Sequence, residues 1–294
     1  AIGYLSMFQG SITTGTGIPA AVTNIMIVVT LLAGTALIMW LAELITQRGI
    51  GNGMSLLIFV NIVARFPSAL VQSMNLGNIL TTILILVIVL AVIALIIFVD
   101  RGQRRIPVQY AKRIVGRRVM GGSGTYIPLK VNGANVVPII FASAILAVPA
   151  QLSTIFPKAA WLGVFSNAVS SGWINWIVQF VLIVFFSYFY TALVFNPTEI
   201  SDNLRKQGGF VPGVRPGTTT TAYIERIMNR ITLPGALFLG IIAVGTSILF
   251  TLTNNTMVRQ FGGTSILIMV SVALETMTQI ESQLKMRHYD GFFK

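Results

Sequence analysis

The chain has 294 residues, of which 54% are hydrophobic and only 10% are charged, and its formal net charge at pH 7 is +12. A nucleic-acid-binding protein can be this basic, but here the cations lie in loops between long apolar segments, so a docking surface or a lipid-headgroup contact is the better interpretation. These residues include no cysteine, which excludes disulfides, thiolate catalysis and cysteine metal sites within them.

Eight apolar segments follow one another along the chain and predict an all-α, polytopic membrane protein. An α-helix needs about 20 apolar residues to cross roughly 30 Å of hydrocarbon. Five segments satisfy this requirement, at residues 21–42, 79–99, 134–155, 173–195 and 233–253. Three others are partial or interrupted: residues 1–18, residues 54–71 with Arg65 and Pro67, and residues 262–280 with Glu275.

The first segment has to be distinguished from a targeting signal, because it is apolar and lies at the start of the sequence. It has no basic residues at its beginning, and Gly10, Thr13 and Gly15 interrupt it. These features do not fit a cleavable signal peptide. We interpret residues 1–18 as the end of a membrane helix from a longer chain.

Cations are distributed unevenly between alternate loops. All but three of the 20 Lys and Arg residues lie in segments 43–53, 100–132, 196–232 and the C-terminal tail. The other three are Arg65, Lys158 and Arg259. The positive-inside rule therefore predicts that both large loops and the C-terminus are cytoplasmic in a multi-pass membrane protein.

The two large basic loops carry more information than the apolar segments. Residues 101–130 show little helical periodicity. Residues 196–232 contain a short helical stretch through Leu204 and then the run VPGVRPG at 211–217, whose prolines and glycines predict a stiff turn that presents Arg215 at a fixed place. A solvated loop retained only for topology explains the same pattern, and spacing alone does not separate the two interpretations.

The sequence offers no catalytic constellation, and we expect neither a cofactor nor an enzyme. Neither glycine-rich loop contains the Gly-Lys-Ser/Thr step of a phosphate-binding loop, and the single histidine, His288, cannot form a metal site alone. Glu275 is the only carboxylate expected at membrane depth. A functional role, an interfacial position and a hydrogen bond to a neighbouring helix all fit it.

Two other classes of membrane protein deserve comparison. An ion-coupled secondary transporter would also have broken helices and basic loops, but coupling carboxylates are scarce here. A membrane-embedded enzyme would need a His, Asp or Ser constellation at membrane depth, which the sequence does not offer. The transporter remains the alternative.

Several sequence runs closely resemble motifs of one family, the SecY channel subunits of the bacterial protein-conducting translocon. These runs are QRGIGNG at 47–53, RGQRR and YAKR within 101–113, IPLKVN at 127–132, FNPTEISDNLRKQGGFVPGVRPG at 195–217 and FGGTS at 261–265. The resemblance covers essentially the whole chain, in order. Family members have ten spans, and the eight here resemble the third to the tenth.

The resemblance implies two inverted five-helix halves around a central pore. Residues 1–72 would be the remainder of the first half, with the third to fifth spans, and residues 73–284 the second half, with the sixth to tenth. Residues 285–294 would be a cytoplasmic tail. The implied function is to pass unfolded secretory polypeptides across the plasma membrane and to release signal sequences and membrane helices sideways into lipid.

The resemblance also implies that a ring of apolar side chains seals the pore. Its members on this chain would be Met54, Ile58, Ile140, Ile266 and Ile268. Such a ring offers water and ions no hydrogen-bond partners, so it dewets and seals, yet aliphatic side chains can part around an extended peptide. Without the resemblance, each isoleucine would be expected to face lipid or another helix.

A lateral gate is implied where segments 134–155 and 173–195 meet the first-half helices, including residues 1–18. Its residues on this chain would be Pro138, Ser143, Pro149, Ser153 and Thr154. Prolines and small polar side chains reduce the apolar fit to a neighbouring helix, which would permit opening. Prolines that only shape the packing are the alternative.

The family's two large loops bind the SecA ATPase or the translating ribosome. The matching cations here are Arg104, Arg105, Lys112, Arg117, Arg118 and Arg215, and arginine forks suit acidic groups and the phosphates of ribosomal RNA. The resemblance further implies SecE and SecG as small single-span partners, signal peptides and secretory precursors as clients, and contact with membrane lipids. DNA is not among the implied partners.

Overall fold

The structure is a computed structural model. It describes residues 20–76, 79–110, 113–115, 118–120, 125–156, 159–170, 172–253 and 263–290. The predicted segment 1–18 therefore lies outside the described residues, as does the start of the FGGTS run.

Helices dominate the described residues, and a small amount of sheet lies between them. The helices are α1 (Ala20–Arg48), α2 (Gly53–Leu76), α3 (Ile79–Asp100), α4 (Val137–Ile155), α5 (Ala160–Ser170), α6 (Gly172–Val194), α7 (Pro197–Lys206), α8 (Thr218–Thr253) and α9 (Gly263–Asp290). The strands are β1 (Gln103–Tyr110), β2 (Arg113–Val115), β3 (Arg118–Met120), β4 (Thr125–Lys130) and β5 (Gly209–Phe210).

Five helical stretches are long and apolar enough to cross a membrane, which confirms the predicted class of polytopic helical membrane protein. They are Val22–Arg48, Thr82–Asp100, Val137–Ile155, Gly172–Lys206 and Thr218–Leu249. Gly53–Ala69 is a shorter apolar helix. Helix α9 covers most of the predicted segment 262–280 but is not one of the five stretches found in the described residues.

The long helices pack around a buried apolar cluster. Helix α6 packs against α4 and α8, while α9 packs against α2, α3 and α8. Ile139, Ile183 and Leu267 contribute fully buried side chains from three of these helices. Gly240 of α8 permits the close approach to α6, because a Cβ there would lie 2.6 Å from Cδ2 of Phe180.

The first helical connection is a tight turn built from the QRGIGNG run. Gly51 has a φ of +87°, which glycine adopts without strain. Gly53 begins α2 so close to α1 that a Cβ would collide with the carbonyl oxygen of Ala42. The Asn52 side chain caps α2 by accepting from the backbone N–H of Met54 at 3.0 Å.

The two large basic loops fold together into one unit, which we call the loop domain and define as β1, β4, α7, β5 and the first turns of α8. Its core is a cluster of buried apolar side chains from both loops: Ile106, Val108, Leu129, Leu204, Val211, Ile224 and Met228. Removing apolar surface from water stabilises a fold by about 25 cal/mol per Å², so this shared core stabilises the packing of the two loops against each other. Local sequence patterns predict two separate loops and not this shared core.

An antiparallel sheet joins the loops, in the order β4-β1-β5. Strand β1 pairs with β4 in a register that places Ile106 opposite Ile127, and its end pairs with β5 through Tyr110 and Gly209. Ile106 and Val108 point into the core, as the period of two along a strand requires. Pro107 precedes the residues paired with β5, so its missing N–H does not interrupt that pairing.

Helix α8 is longer than the predicted segment 233–253, because it begins at Thr218. Its first turns contain the charged residues Glu225 and Arg226, so the apolar pattern does not predict them as part of the membrane-spanning segment. The same turns carry Ile224 and Met228 on one face. That face packs on the loop domain's core. The same helix therefore belongs to the loop domain at its start and to the membrane-spanning bundle further on.

Candidate functional site

Arg215 lies at the end of a tightly constrained turn in the loop domain. The backbone N–H of Val214 donates to the carbonyl oxygen of Val211 at 3.1 Å, and Gly213 between them has a φ of +82°, as a type II turn requires. The Thr220 hydroxyl then donates to the carbonyl oxygen of Arg215 at 2.8 Å. The main chain of Arg215 is thus held on both sides, while its side chain is exposed.

Helix α7 fixes the other end of this turn. The Ser201 hydroxyl donates to the carbonyl oxygen of Gly217 at 3.0 Å, and that oxygen also accepts from the backbone N–H of Thr220 in the first turn of α8. Asn196 caps α7 by accepting from the backbone N–H of Thr198 at 3.2 Å. A capped helix and a helix start therefore bracket the VPGVRPG run, which fits the predicted stiff turn.

Of the cations predicted on the first loop, those within the described residues lie on strands. Arg104 and Arg105 are exposed on β1, and Cζ of Arg105 lies 4.7 Å from the centroid of the Tyr126 ring on β4. A guanidinium over an aromatic face is attracted by the ring and held in one orientation. The backbone of Arg118 lies in β3. Lys112 and Arg117 lie outside the described residues.

The predicted ring residues differ in their surroundings. Met54, near the start of α2, is 40% exposed, and Ile58, Ile140 and Ile268 are half-buried. Ile266 is only 3% exposed and belongs to the buried helical cluster. A side chain packed in this way does not face an open pore, so the structure favours Ile268 over Ile266 as the ring position of α9.

The helices that carry these positions are partly in contact. Helix α9, with Ile268, packs directly against α2, with Ile58. Helix α4, with Ile140, makes its main contacts with α5 and α6. The structure therefore brings two of the three carrier helices together through direct packing.

Three of the predicted gate residues lie within the first thirteen residues of α4. Pro138 is buried in the first turn, where a proline is tolerated, and Pro149 lies inside the helix. The Ser143 hydroxyl donates to the carbonyl oxygen of Ile140 at 2.9 Å, so it is satisfied within its own helix. Both prolines are thus compatible with a role in packing and with the role of a gate.

The other two predicted gate residues lie near the end of α4. They are Ser153 and Thr154, and the hydroxyl of each donates to the carbonyl oxygen of Ala150 at 2.8 Å. The Ser153 hydroxyl also lies 3.3 Å from that of Ser166 on α5, a helix that the sequence did not predict. Ser153 therefore contacts a neighbour from its own half of the chain, and Thr154 is exposed.

Glu275 lies at the junction of α9 with the loop domain, and this position favours the interfacial interpretation. It lines a cavity of about 260 Å³ together with Asp100 and Lys130. The described residues contain no group of three or more His, Asp or Glu that could hold a metal ion.

Sequence reasoning missed the union of the two loops, although part of the signal was present. Apolar residues alternate with polar ones along β1, at Ile106, Val108 and Tyr110. That alternation predicts a strand but not its partner. The pairing with β5 joins residues far apart in the chain, which no local pattern records.

Comparisons with known proteins agree with the motif resemblance. The family model of SecY matches residues 1–277. The chain is 47% identical over 290 residues to the protein translocase subunit SecY of Streptomyces scabiei, covering 92% of this chain and 64% of that protein. It is 45% identical over 309 residues to that of Streptomyces coelicolor, covering 98% and 68%. The chain therefore spans about two thirds of the length of these relatives.

Solved structures share the fold. One, from work on the plug domain of the SecY protein and the closed state of its channel, matches with a TM-score of 0.65 and 18% identity, covering 95% of this chain and 70% of that chain. Another, a protein-conducting channel, matches with a TM-score of 0.63 and 19% identity, covering 95% and 69%. At these identities the likeness shows the fold.

Proposed function

The chain belongs to the SecY family, and from this membership we propose that it is part of the central pore-forming subunit of a Sec protein translocation channel. The channel would pass unfolded secretory polypeptides across the plasma membrane and release signal sequences and membrane helices sideways into lipid. The observation that carries the proposal is the family-model match over residues 1–277. The five membrane-crossing stretches support it.

The seal of the pore would be an apolar ring that includes Ile58, Ile140 and Ile268, with Met54 beside it. Half-buried aliphatic side chains support this role, because they are accessible from one side while the helix packs on the other. A narrow ring of such groups excludes water and ions and can widen around an extended peptide. The lateral gate would include α4, with Pro138, Ser143, Pro149, Ser153 and Thr154.

The loop domain would be the docking surface for the partner that supplies energy, either SecA or the translating ribosome. Arg104, Arg105 and Arg215 support this role because their side chains are exposed on a domain with a packed core. Arg215 is also preordered by its turn, which lowers the entropy lost on docking. Lys112, Arg117 and Arg118 belong to the same proposed surface, which would face the cytoplasm, and SecE and SecG would complete the channel.

Site-specific crosslinking tests the channel function. In the complete protein, with no other cysteine, Ile268→Cys would form a disulfide with a cysteine in a secretory precursor stalled during transport. Phe98→Cys is the matched control, since Phe98 is 79% exposed on α3 and should face lipid. We expect a precursor adduct with the variant at position 268 and not with the control. Equal adducts at both positions, or none at either, would contradict the proposal.

A further inference from the structure

A polar cavity that the proposed transport function does not use lies between the end of α3, the loop domain and α9. Its volume is about 260 Å³, and its lining includes Asp100, Arg101, Gln103, Lys130, Glu275 and Thr278. Two of these side chains are acidic and two are basic. The acidic side chains come from the helices α3 and α9, while Lys130 comes from β4 and Arg101 lies in the short connection between α3 and β1.

Within the described residues, no two of the four charged groups form an ion pair within 4.0 Å. The ion pair found within 4.0 Å among the described side chains is Arg205–Asp202 on α7, away from the cavity. Asp100 accepts a hydrogen bond from Nδ2 of Asn132 at 2.8 Å, and within the described residues Glu275 has no such partner. The carboxylates of Asp100 and Glu275 are half-buried, so a cation beside them would be stabilised, and the exposed side chains of Arg101 and Lys130 would bind the anionic end of the same ligand.

The cavity lies at the level of a lipid headgroup. Thr82–Asp100 is the most apolar of the membrane-crossing stretches, with a mean hydropathy of 3.6, and Asp100 is its last residue. The end of such a stretch marks the edge of the hydrocarbon region. Just before this end, Leu95 and Phe98 are 48% and 79% exposed, which provides an apolar surface for acyl chains beside the polar cavity.

The helix ends beside the cavity also favour ligand groups of both signs of charge. The C-terminus of α3, where Asp100 lies, carries a partial negative charge and favours a cation. Asn135, with a φ of +51°, also lines the cavity and leads into α4, whose N-cap residue Val136 has no side chain able to cap the first N–H groups. The start of α4 therefore favours an anion.

We propose that this cavity binds the headgroup of phosphatidylethanolamine. Its ammonium group would contact Asp100 and Glu275, and its phosphate would contact Arg101 and Lys130. A primary ammonium has three N–H donors for the two carboxylates, whereas the trimethylammonium group of phosphatidylcholine has none. Phosphatidylglycerol brings no cation at all. The site should therefore prefer phosphatidylethanolamine to both, whether or not the channel is transporting.

Lipid retention measures this preference. The complete protein, assembled as purified from membranes, is placed in nanodiscs with equal amounts of the three lipids, and the lipids retained after delipidation are counted by native mass spectrometry. We expect Glu275→Gln to lower phosphatidylethanolamine retention about tenfold and to abolish its preference over phosphatidylcholine. Glu275→Asp should keep the preference. Glu281→Gln, which removes the same charge from an exposed position on α9, should behave like the parent.

The phosphate half of the site has its own variant. Lys130→Met should lower the retention of phosphatidylethanolamine and phosphatidylcholine by a similar factor, because both carry the phosphate, and should leave their ratio unchanged. This pattern differs from that of Glu275→Gln, so a general loss of folding cannot produce both results. Equal retention of all three lipids by the parent, or an unchanged preference in Glu275→Gln, would overturn the proposal.

Soluble glycerophosphoethanolamine distinguishes a lipid site from a site for a small phosphorylated amine. It should displace the retained lipid only at concentrations at least about a hundredfold above those of the lipid, because it lacks the acyl chains that pack on α3. Displacement at equal concentrations would show that the cavity recognises a soluble ligand and would overturn the lipid proposal.

Discussion

Gly209 and Tyr110 lie directly opposite each other where β1 meets β5, so close that a Cβ at position 209 would lie 2.9 Å from Cε1 of Tyr110. Each residue comes from a different basic loop. The missing side chain of Gly209 therefore permits the contact that joins the two loops into one domain.

Gly209→Ala should loosen the loop domain by about 1 to 3 kcal/mol, because the added methyl group overpacks the strand pairing. Trypsin cleavage within the first basic loop measures the effect, since the cations there become accessible when the domain opens. Adding Tyr110→Ser should recover part of the loss by making room for the methyl group, so the two changes should be non-additive. A cleavage rate equal to that of the parent in the single variant would contradict this role of Gly209.

Arg215→Glu should lower precursor transport and SecA-stimulated ATP hydrolysis more than tenfold while the protein remains inserted and assembled. Reversal of the charge turns an attraction into a repulsion against an acidic or phosphate-bearing partner. Arg226→Glu is the matched control, because Arg226 is an exposed cation on α8 in the same domain. Both activities are measured on equal amounts of folded protein. Parental activity in Arg215→Glu would leave Arg215 as a topology charge only.

Ile268→Asn, in the complete protein, should raise the resting ion leak and relax the requirement for a good signal sequence, and Ile140→Asn should do the same. An amide supplies hydrogen-bond partners to water at the constriction, which then remains wet. Single-channel conductance measures the leak. Ile145→Asn is the control, because the Ile145 side chain is 43% exposed on α4 and the variant adds the same amide outside the proposed ring. A leak as large in this control as in the ring variants would remove Ile268 and Ile140 from the ring.

Single cysteines should report the orientation in the membrane. Thr218→Cys, at the start of α8, should be protected from a membrane-impermeant reagent in intact cells, and a cysteine at Gly122 should be protected too. Trp161→Cys should react, because Trp161 is 70% exposed on α5. Helix α5 connects the end of α4 to the start of α6, on the side of the helices away from the loop domain. Labelling of position 218 but not of position 161 would reverse the predicted orientation.

The sequence predicted those parts of the fold that depend on local pattern. Apolar length predicted α3 and α6, and the Asn196-Pro197 start predicted α7. The predicted segment 233–253 begins later than α8 does, because Arg226 and Arg230 interrupt the apolar run, although Ile224 and Met228 continue the packed face. The pairing of β5 with β1 could not be predicted, because no local pattern at residues 209–210 identifies β1 as the partner strand.

The candidate site was predictable to a similar extent. The stiffness of the Arg215 turn follows from its own prolines and glycines, and the hydrogen bond from Thr220 supports it. The depth of Glu275 was not predictable, because it depends on where α9 meets the loop domain. The same holds for the burial of Ile266 beside the accessible Ile268.

The length of α8 has a mechanical consequence. At 36 residues the helix is about 54 Å long, and near its middle Gly235 touches the carbonyl oxygen of Val131 so closely that a Cβ would collide with it. Val131 is itself tied to the end of α3 through its N–H bond to the carbonyl oxygen of Gly102, at 2.9 Å. Pro234 lies inside the helix beside this contact. We expect the helix to pivot at this point when a partner pushes on the Arg215 turn.

Spin labels at Tyr223 and Ile241, on either side of this pivot, would then move in opposite directions relative to a label on α3. Movement of both labels in one direction would mean that the helix slides as a whole. With arms of comparable length, a push of a few ångströms at the loop domain becomes a counter-swing of similar size among the membrane-spanning helices, with no need for the helix to unwind.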